Sequence, residues 1–195
     1  FNIEGGGRLN HHSEYGNNLA FNINPSYLIK TRVKVFGNLS SGYKTPSLYQ
    51  LFSVYGNKNL KPEVSLNAEG GLQIFSKKGS SLRFVYFNRH IKDAIAFFFN
   101  ATTYQAYYIN QDKQKDHGFE IEANGKISDR LQLKAIYSYV TGKFTTKLGG
   151  KDTTYFNLLR RPKNTFNLFA GSQLAKALYV NVQLDIVGQR KDVYF

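Results

Sequence analysis

Apolar and polar residues alternate with a period of two through segment after segment of this chain. Leu178, Val180, Val182, Leu184 and Ile186 are interleaved with Tyr179, Asn181, Gln183 and Asp185. Successive side chains of an extended backbone project to opposite sides, so this stretch predicts a strand with one apolar and one mostly polar face. The same holds for Val64, Leu66, Ala68, Gly70, Leu72 and Ile74 against Glu63, Ser65, Asn67, Glu69 and Gln73. It recurs in Leu19, Phe21, Ile23, Pro25 and Tyr27, in Phe119, Ile121, Ala123 and Ile127, and in Leu131, Leu133, Ala135, Tyr137 and Tyr139.

These stretches run about nine to thirteen residues, against about five or six for most strands of soluble domains. A tilted strand needs about nine to eleven residues to cross a bilayer. Short connections at 29–32, 76–79, 128–130 and 175–177 alternate with long polar ones around 44–62, 99–104 and 143–158. Tight turns on one side and long loops on the other is the arrangement of outer-membrane barrels. The expected fold is therefore all-β, an antiparallel transmembrane β-barrel fragment of about ten strands, with 82–98 and 105–111 the least regular. Tyr27, Tyr43, Tyr137 and Tyr139 lie near strand ends, where aromatic girdles form. Gly5, Gly6, Gly7, Gly70 and Gly71 fall inside strands, where they leave room for neighbouring aromatic rings or an enclosed domain. A soluble basic β-sandwich remains a rival, because periodicity alone does not say which face meets solvent.

Composition narrows the choice. The 195 residues include 14 Tyr and 16 Phe but no Trp, Cys or Met. Without cysteine there is no disulfide framework and no thiolate metal site. Twenty-six Lys and Arg against thirteen Asp and Glu give a net charge of +13. The cations are spread in ones and twos, as in Lys77-Lys78, Arg160-Arg161 and Arg190-Lys191, with no nucleic-acid-binding motif. Their expected partner is the anionic surface of an outer membrane, phosphate-bearing lipid outside and acidic headgroups inside. No apolar run reaches the length of a helical span, and the longest, Ala94 to Phe99, is far too short. Phe1-Asn2-Ile3-Glu4 starts in mid-strand pattern, and steps of two back from Phe195 meet Val193, Lys191 and Gln189, a loop-like face. The expectation is a fragment with further strands beyond it.

Three passages carry a family resemblance. The first is Ser41-Gly42-Tyr43-Lys44-Thr45-Pro46-Ser47-Leu48-Tyr49-Gln50-Leu51-Phe52, followed by Gly56-Asn57-Lys58-Asn59-Leu60-Lys61-Pro62-Glu63. The second runs from Asn110-Gln111 to His117-Gly118-Phe119-Glu120-Ile121-Glu122-Ala123, and the third is Leu158-Leu159-Arg160-Arg161-Pro162-Lys163-Asn164. The chain resembles the TonB-dependent outer-membrane receptors, with Lys44 and Lys58 departing from the Arg and Pro usual there. The resemblance implies that residues 1–195 belong to one barrel domain of roughly 22 strands, whose plug and final strands lie outside this chain. It implies TonB, outer-membrane lipids and lipopolysaccharide as partners, and a surface lipoprotein as a further candidate. Within the family, the late Leu-Leu-Arg-Arg is most similar to cobalamin receptors, ahead of ferric siderophore and haem receptors. Tyr49, Phe52, Tyr55, Asn57, Asn59, Tyr104 and Tyr155 are the candidate ligand-binding residues on external loops. Glu63, Glu69, Glu120, Glu122 and Arg161 are expected to face the lumen and plug, where wall salt bridging is the plainer role. Arg160 and Arg161 point to opposite faces, so at most one can do so.

Catalytic patterns are lacking. There is no G-x-S-x-G elbow, phosphate loop or H-E-x-x-H helix. Glu120 and Glu122 share a strand face but read more simply as wall charges, and His11-His12 on extended chain point apart. The expectation is no enzyme, no cofactor, no metal and no nucleic acid. It favours active uptake of a scarce bulky nutrient, cobalamin first and a ferric siderophore or haem next, over a passive porin-like barrel.

Overall fold

The computed structural model describes residues 1–77, 79–100, 103–148, 151–156 and 161–190. Among the described residues ten strands follow one another: β1 (Asn2–His12), β2 (Gly16–Ile29), β3 (Val33–Lys44), β4 (Glu63–Phe75), β5 (Ser81–Asn100), β6 (Gln105–Lys126), β7 (Leu131–Leu148), β8 (Lys151–Phe156), β9 (Asn164–Ala175) and β10 (Leu178–Val187). One short helix, α1 (Leu48–Phe52), interrupts them. All strands lie in a single antiparallel sheet in sequence order from β1 to β7, then β9 and β10. β8 pairs only with the far end of β7, from Lys143 to Leu148, while β9 takes its near end, from Leu131 to Tyr139.

The two faces differ in a way that periodicity could not decide. Directly paired residues share a face, so the register from Val64 to Tyr43 and Lys92, and from Ile121 to Phe84 and Tyr137, carries one face across the sheet. On it stand Val35, Val64, Leu66, Leu72, Ile74, Leu82, Phe84 and Ile121, all exposed. Along β4 every residue of the polar face, Glu63 through Phe75 in steps of two, is more covered than its apolar neighbours. Among the described residues the buried apolar side chains come down to Leu60, Val85, Ala94 and Val140, with Pro46. A sandwich in water would do the reverse, since each Leu or Val left exposed forfeits about 1.5–3 kcal/mol. The soluble reading fails here, and the apolar side is the outward face of a membrane wall. Tyr27, Tyr43, Tyr137 and Tyr139 all fall on it by register.

One of the expected long loops, 143–158, is strand over 143–148 and 151–156, and the segments expected to be the least regular strands run further than expected. The segments read as least regular form β5 and β6, of 20 and 22 residues, and Tyr104, just before β6 at the tip end of this ribbon, has φ 54°. The aromatic and β-branched run Ala94–Phe99 zips onto Ala106–Gln111, with Phe98 against Tyr107 and Phe97 against Tyr108 at ring separations of 5.5 and 5.3 Å. Such residues pack well on a pleated surface, and the ribbon continues past the band needed to cross a bilayer. Likewise 143–148 and 151–156 pair as a hairpin. Residues 45–62 keep a loop's path, and 103–104 form a turn as expected. On the opposite side Lys30 and Thr31 both take positive φ, 44° and 55°, in a two-residue turn closed by Arg32 N–H to Ile29 C=O at 3.0 Å.

Glycine and proline act as the sequence suggests. Pro25 pairs with Ile3 of β1 but interrupts the ladder toward β3, which runs through Ile23–Leu39 and resumes at Ser26–Phe36. Gly118, on the polar face, lets a ring lie across the wall: a β-carbon there would overlap the Tyr139 carbonyl oxygen and come within 2.7 Å of Phe87 Cζ. Gly71 accommodates the Phe36 ring in the same manner. That ring in turn carries the Arg83 guanidinium 5.1 Å from its centroid.

Two predictions follow from the wall, both for the full-length protein that contains this chain. Gly118→Val overpacks the β6–β7 junction and should lower stability by about 1–3 kcal/mol, read by urea unfolding in lipid vesicles. Leu72→Arg on the outward face should cost about 2–4 kcal/mol in the same assay, and Gln73→Arg on the polar face far less. Equal costs at 72 and 73 would contradict the assignment of faces.

Candidate ligand-facing rim

The loop between β3 and β4 is organised by its own residues. Pro46 is buried, and Ser47 caps α1 by accepting the Gln50 N–H at 3.2 Å while Gln50 Oε1 accepts the Ser47 N–H at 2.9 Å. This reciprocal box was readable as Ser47-x-x-Gln50, a signal that turn and strand patterning passed over. Beyond α1 the chain is tied to the β5–β6 ribbon. Asn57 Nδ2 donates to the Tyr108 carbonyl at 3.0 Å, and Tyr108 N–H to the Tyr55 carbonyl at 3.0 Å. Asn110 works in both directions, its Oδ1 accepting Lys61 N–H at 2.7 Å and its Nδ2 donating to the carbonyls of Lys61 and Asp93 at 2.9 and 2.7 Å. Glu63 Oε1 accepts the Ile95 N–H at 2.7 Å. Leu60, 2% exposed, is sealed beneath these ties.

Rings line the junction. Tyr55 meets Phe97 edge-on at 5.5 Å, Phe97 meets Tyr108 at 5.3 Å, and Tyr49 meets Tyr108 at 6.2 Å. Tyr49 and Phe52 stay 58% and 62% exposed, and the Lys58 ammonium sits 5.6 Å from the Phe52 ring centre. The result is a pre-ordered aromatic surface with a cation at its edge.

Behind it, on the polar face, lies a buried charge. The Asp116 side chain is fully covered and receives Arg89 Nε at 3.0 Å, with a second, shorter bond from the same guanidinium. Gln114 Nε2 reaches both its oxygens at 2.9 and 3.0 Å, and Arg161 approaches within 3.8 Å. Arg161 lies between strands; burial first, and the charge of Arg89 next, push its guanidinium below its ordinary value, while Asp116 acts the other way. Two guanidinium groups on one carboxylate leave a surplus positive charge at this point.

The sequence-derived residues separate into groups. Tyr49, Tyr55 and, through them, Tyr108 and Phe97 come together; Phe52 and Asn59 are exposed on the same loop. Tyr104, 81% exposed, stands at the ribbon tip with Phe99 as its ring neighbour at 6.3 Å. Asn57 has its amide committed to the loop itself, with its oxygen accepting Asn59 N–H at 2.9 Å, which leaves it a latch more than a ligand contact. Tyr155 is opposite Phe144 by backbone register, its side chain lying outside the described residues, as do Leu158, Leu159, Arg160, Tyr194 and Phe195. Glu63, Glu69, Glu120 and Glu122 stand on the polar face, engaged with Lys44, Asn67, Arg83 and Lys134 respectively at 3.3, 2.7, 3.7 and 3.2 Å. Asp116, Arg89, Tyr108 and Asn110 were not singled out for a role, because partners that lie between 17 and 51 positions away have no local pattern. His11 faces Asn17 and His12 caps the turn at Glu14 and Tyr15. Among the described residues no three His, Asp or Glu side chains converge as for a metal.

Comparison with known proteins gives a consistent result. The family described as "TonB dependent receptor-like, beta-barrel" matches residues 1–193. The iron-regulated outer membrane virulence protein of Vibrio cholerae serotype O1 is 26% identical, over 86% of this chain and 28% of that protein. Among solved structures, a mutant of the ferric enterobactin receptor of Pseudomonas aeruginosa, in complex with enterobactin, superposes with a TM-score of 0.74 at 22% identity, over 97% of this chain and 31% of that one. The siderophore receptor PirA of Acinetobacter baumannii gives 0.73 at 21% identity, over 97% and 32%. The chain thus spans under a third of the length of these relatives. With its two-faced antiparallel wall and a match along nearly its whole length, the chain belongs to the TonB-dependent receptor family, as a stretch of the outer-membrane β-barrel.

Proposed function

We propose that the receptor containing this chain imports a ferric siderophore across the outer membrane, the rim formed by residues 45–62 and the β5–β6 ribbon capturing the ligand. The observation that carries the reading is the latched aromatic surface of Tyr49, Phe52 and Tyr108 with Lys58 at its edge. An Fe(III) complex of catecholate type is a bulky anion with flat aromatic rings. Stacking, cation contacts and the chain's net charge of +13 all favour such a ligand. Cobalamin, first choice from the late Leu-Leu-Arg-Arg, is uncharged overall in its common cyanide form and gains little from that field. The relatives described above as iron-regulated or siderophore receptors support the same choice. In this reading Tyr49, Phe52, Asn59 and Tyr104 touch ligand, while Glu63, Glu69, Glu120, Glu122 and Arg161 face a lumen filled by a plug outside this chain. TonB supplies the energy through that plug, so the role is transport and not catalysis.

Cells relying on this receptor for iron should take up a ferric catecholate only when TonB is present, with no competition from cobalamin; TonB-independent uptake would indicate a passive pore. Replacing both Tyr49 and Phe52 with Ala should weaken ligand binding about tenfold or more by fluorescence quenching, at unchanged barrel stability. Asn110→Ala should weaken it too, by releasing the loop without removing any ligand-touching group.

A further inference from the structure

The β5–β6 ribbon leaves the wall at one residue. β4 and β5 pair regularly as far as Val64 and Lys92, and one further step of that register would set Glu63 opposite Asp93. The main-chain pairing stops there instead. On its other side β5 pairs with β6 at Lys92–Lys113 and resumes at Ala94–Gln111, passing over Asp93 and Asp112. Asp93 has φ 56°, and among the described non-glycine residues it alone takes a left-handed φ inside a strand. Asp and Asn enter that region more readily than other side chains, whereas a β-branched residue there is strained.

Side chains take over where the ladder breaks. The Glu63 carboxylate accepts the Ile95 N–H at 2.7 Å through Oε1 and meets the Lys44 ammonium at 3.3 Å through Oε2. Asn110 Nδ2 donates to the Asp93 carbonyl at 2.7 Å, which closes the bend from the side of β6. Strands β3 to β6 are thereby joined where the wall gives way to the rim. Lys44 is well exposed, so its ion pair adds little, and the charge-assisted bond to Ile95 N–H is the stronger tie. We propose that Asp93 and Glu63 are positioning residues for ligand capture: Asp93 sets a fixed bend where β5 leaves β4, and the Glu63 carboxylate clamps it. The ribbon carries Tyr108 and Asn110, to which the 45–62 loop is latched, so the bend aims Tyr49 and Phe52 as one unit. Both residues act through that unit and not by touching the ligand. The capture role rests on the proposed function, while the clamp stands on the backbone alone.

The test uses the full-length receptor in nanodiscs, spin-labelled at Gln105→Cys on the ribbon and Lys77→Cys on the turn at its foot. Affinity for a ferric catecholate is read by fluorescence quenching on the unlabelled protein. Electron–electron double resonance should give one narrow distance for the wild type. Glu63→Ala and Asp93→Val should broaden or shift that distance and weaken binding about tenfold, at an unchanged urea midpoint. Glu63→Gln, whose side-chain carbonyl still accepts the Ile95 N–H, and Asp93→Asn, which tolerates the same φ, should match the wild type in both readouts. Heat-modifiable electrophoretic mobility checks folding, and Glu63→Ala carries the test if the Val variant misfolds. Wild-type distance and affinity in folded Glu63→Ala, or equal losses in the Gln and Asn variants, overturn the clamp. A displaced ribbon with undiminished affinity overturns the positioning role. A wild type that binds no ferric catecholate, with the ribbon still displaced by Glu63→Ala, removes the proposed function and leaves the clamp standing.

Discussion

A backbone that crosses hydrocarbon must satisfy its own amides and carbonyls, since the surroundings offer no other partner. The chain meets this demand with a continuous antiparallel ladder from β1 to β7, carried on by β9 and β10 along the near end of β7 while β8 pairs with its far end. Almost everything else follows from it. Consecutive strands must be neighbours, connections on one side shrink to tight turns, and the alternation of side chains separates a lipid face from a polar one. The small set of buried apolar residues belongs to the same logic, because the wall is one layer thick and its apolar side chains are stabilised by lipid contact.

The polar face is knit by different forces. Arg83 bridges Glu120 and Glu122 and lies over Phe36, whose ring occupies the space left by Gly71. Gly118 and Phe87 repeat the arrangement one strand pair further on. Rings over glycines cover backbone that would otherwise be open to the lumen, and charge pairs between them fix neighbouring strands. Asp116 is the extreme case: its side chain is completely covered, yet Arg89, Gln114 and Arg161 satisfy it. Removing a partner there leaves a buried charge uncompensated, so the group holds the position of Arg161 at the mouth of the wall.

Above the band, the same ladder carries on without the membrane to require it. β5 and β6 extend as a ribbon because their residues are aromatic and β-branched, and the ribbon becomes the platform on which the 45–62 loop is tied. Loop and ribbon are held by backbone-directed amides, so the exposed rings of Tyr49 and Phe52 are presented with little freedom left to lose on binding.

Much of this was legible in the sequence. Period-two alternation over long segments gave the strands, their number and which residues share a face, because a strand's side-chain geometry is local and depends on nothing distant. The passages at 41–63 and 110–123 gave the family, and Pro46 and Pro62 marked the edges of β3 and β4. What alternation left open was which face is exposed, since a sandwich and a barrel wall share one pattern; only the inverted burial along β4 decided it. The segments 82–98 and 105–111 were legible as strands, but not how far they pair as a ribbon, because an apolar run without strict alternation has no clear period and strand pairing beyond the band depends on a partner segment. The latch of Asn57 and Asn110 and the Asp116 cluster join residues far apart in the chain, and such contacts exist only once the strands have taken their register. Local geometry thus wrote the wall into the sequence, whereas the rim and the buried charge were decided by which strands the fold set side by side.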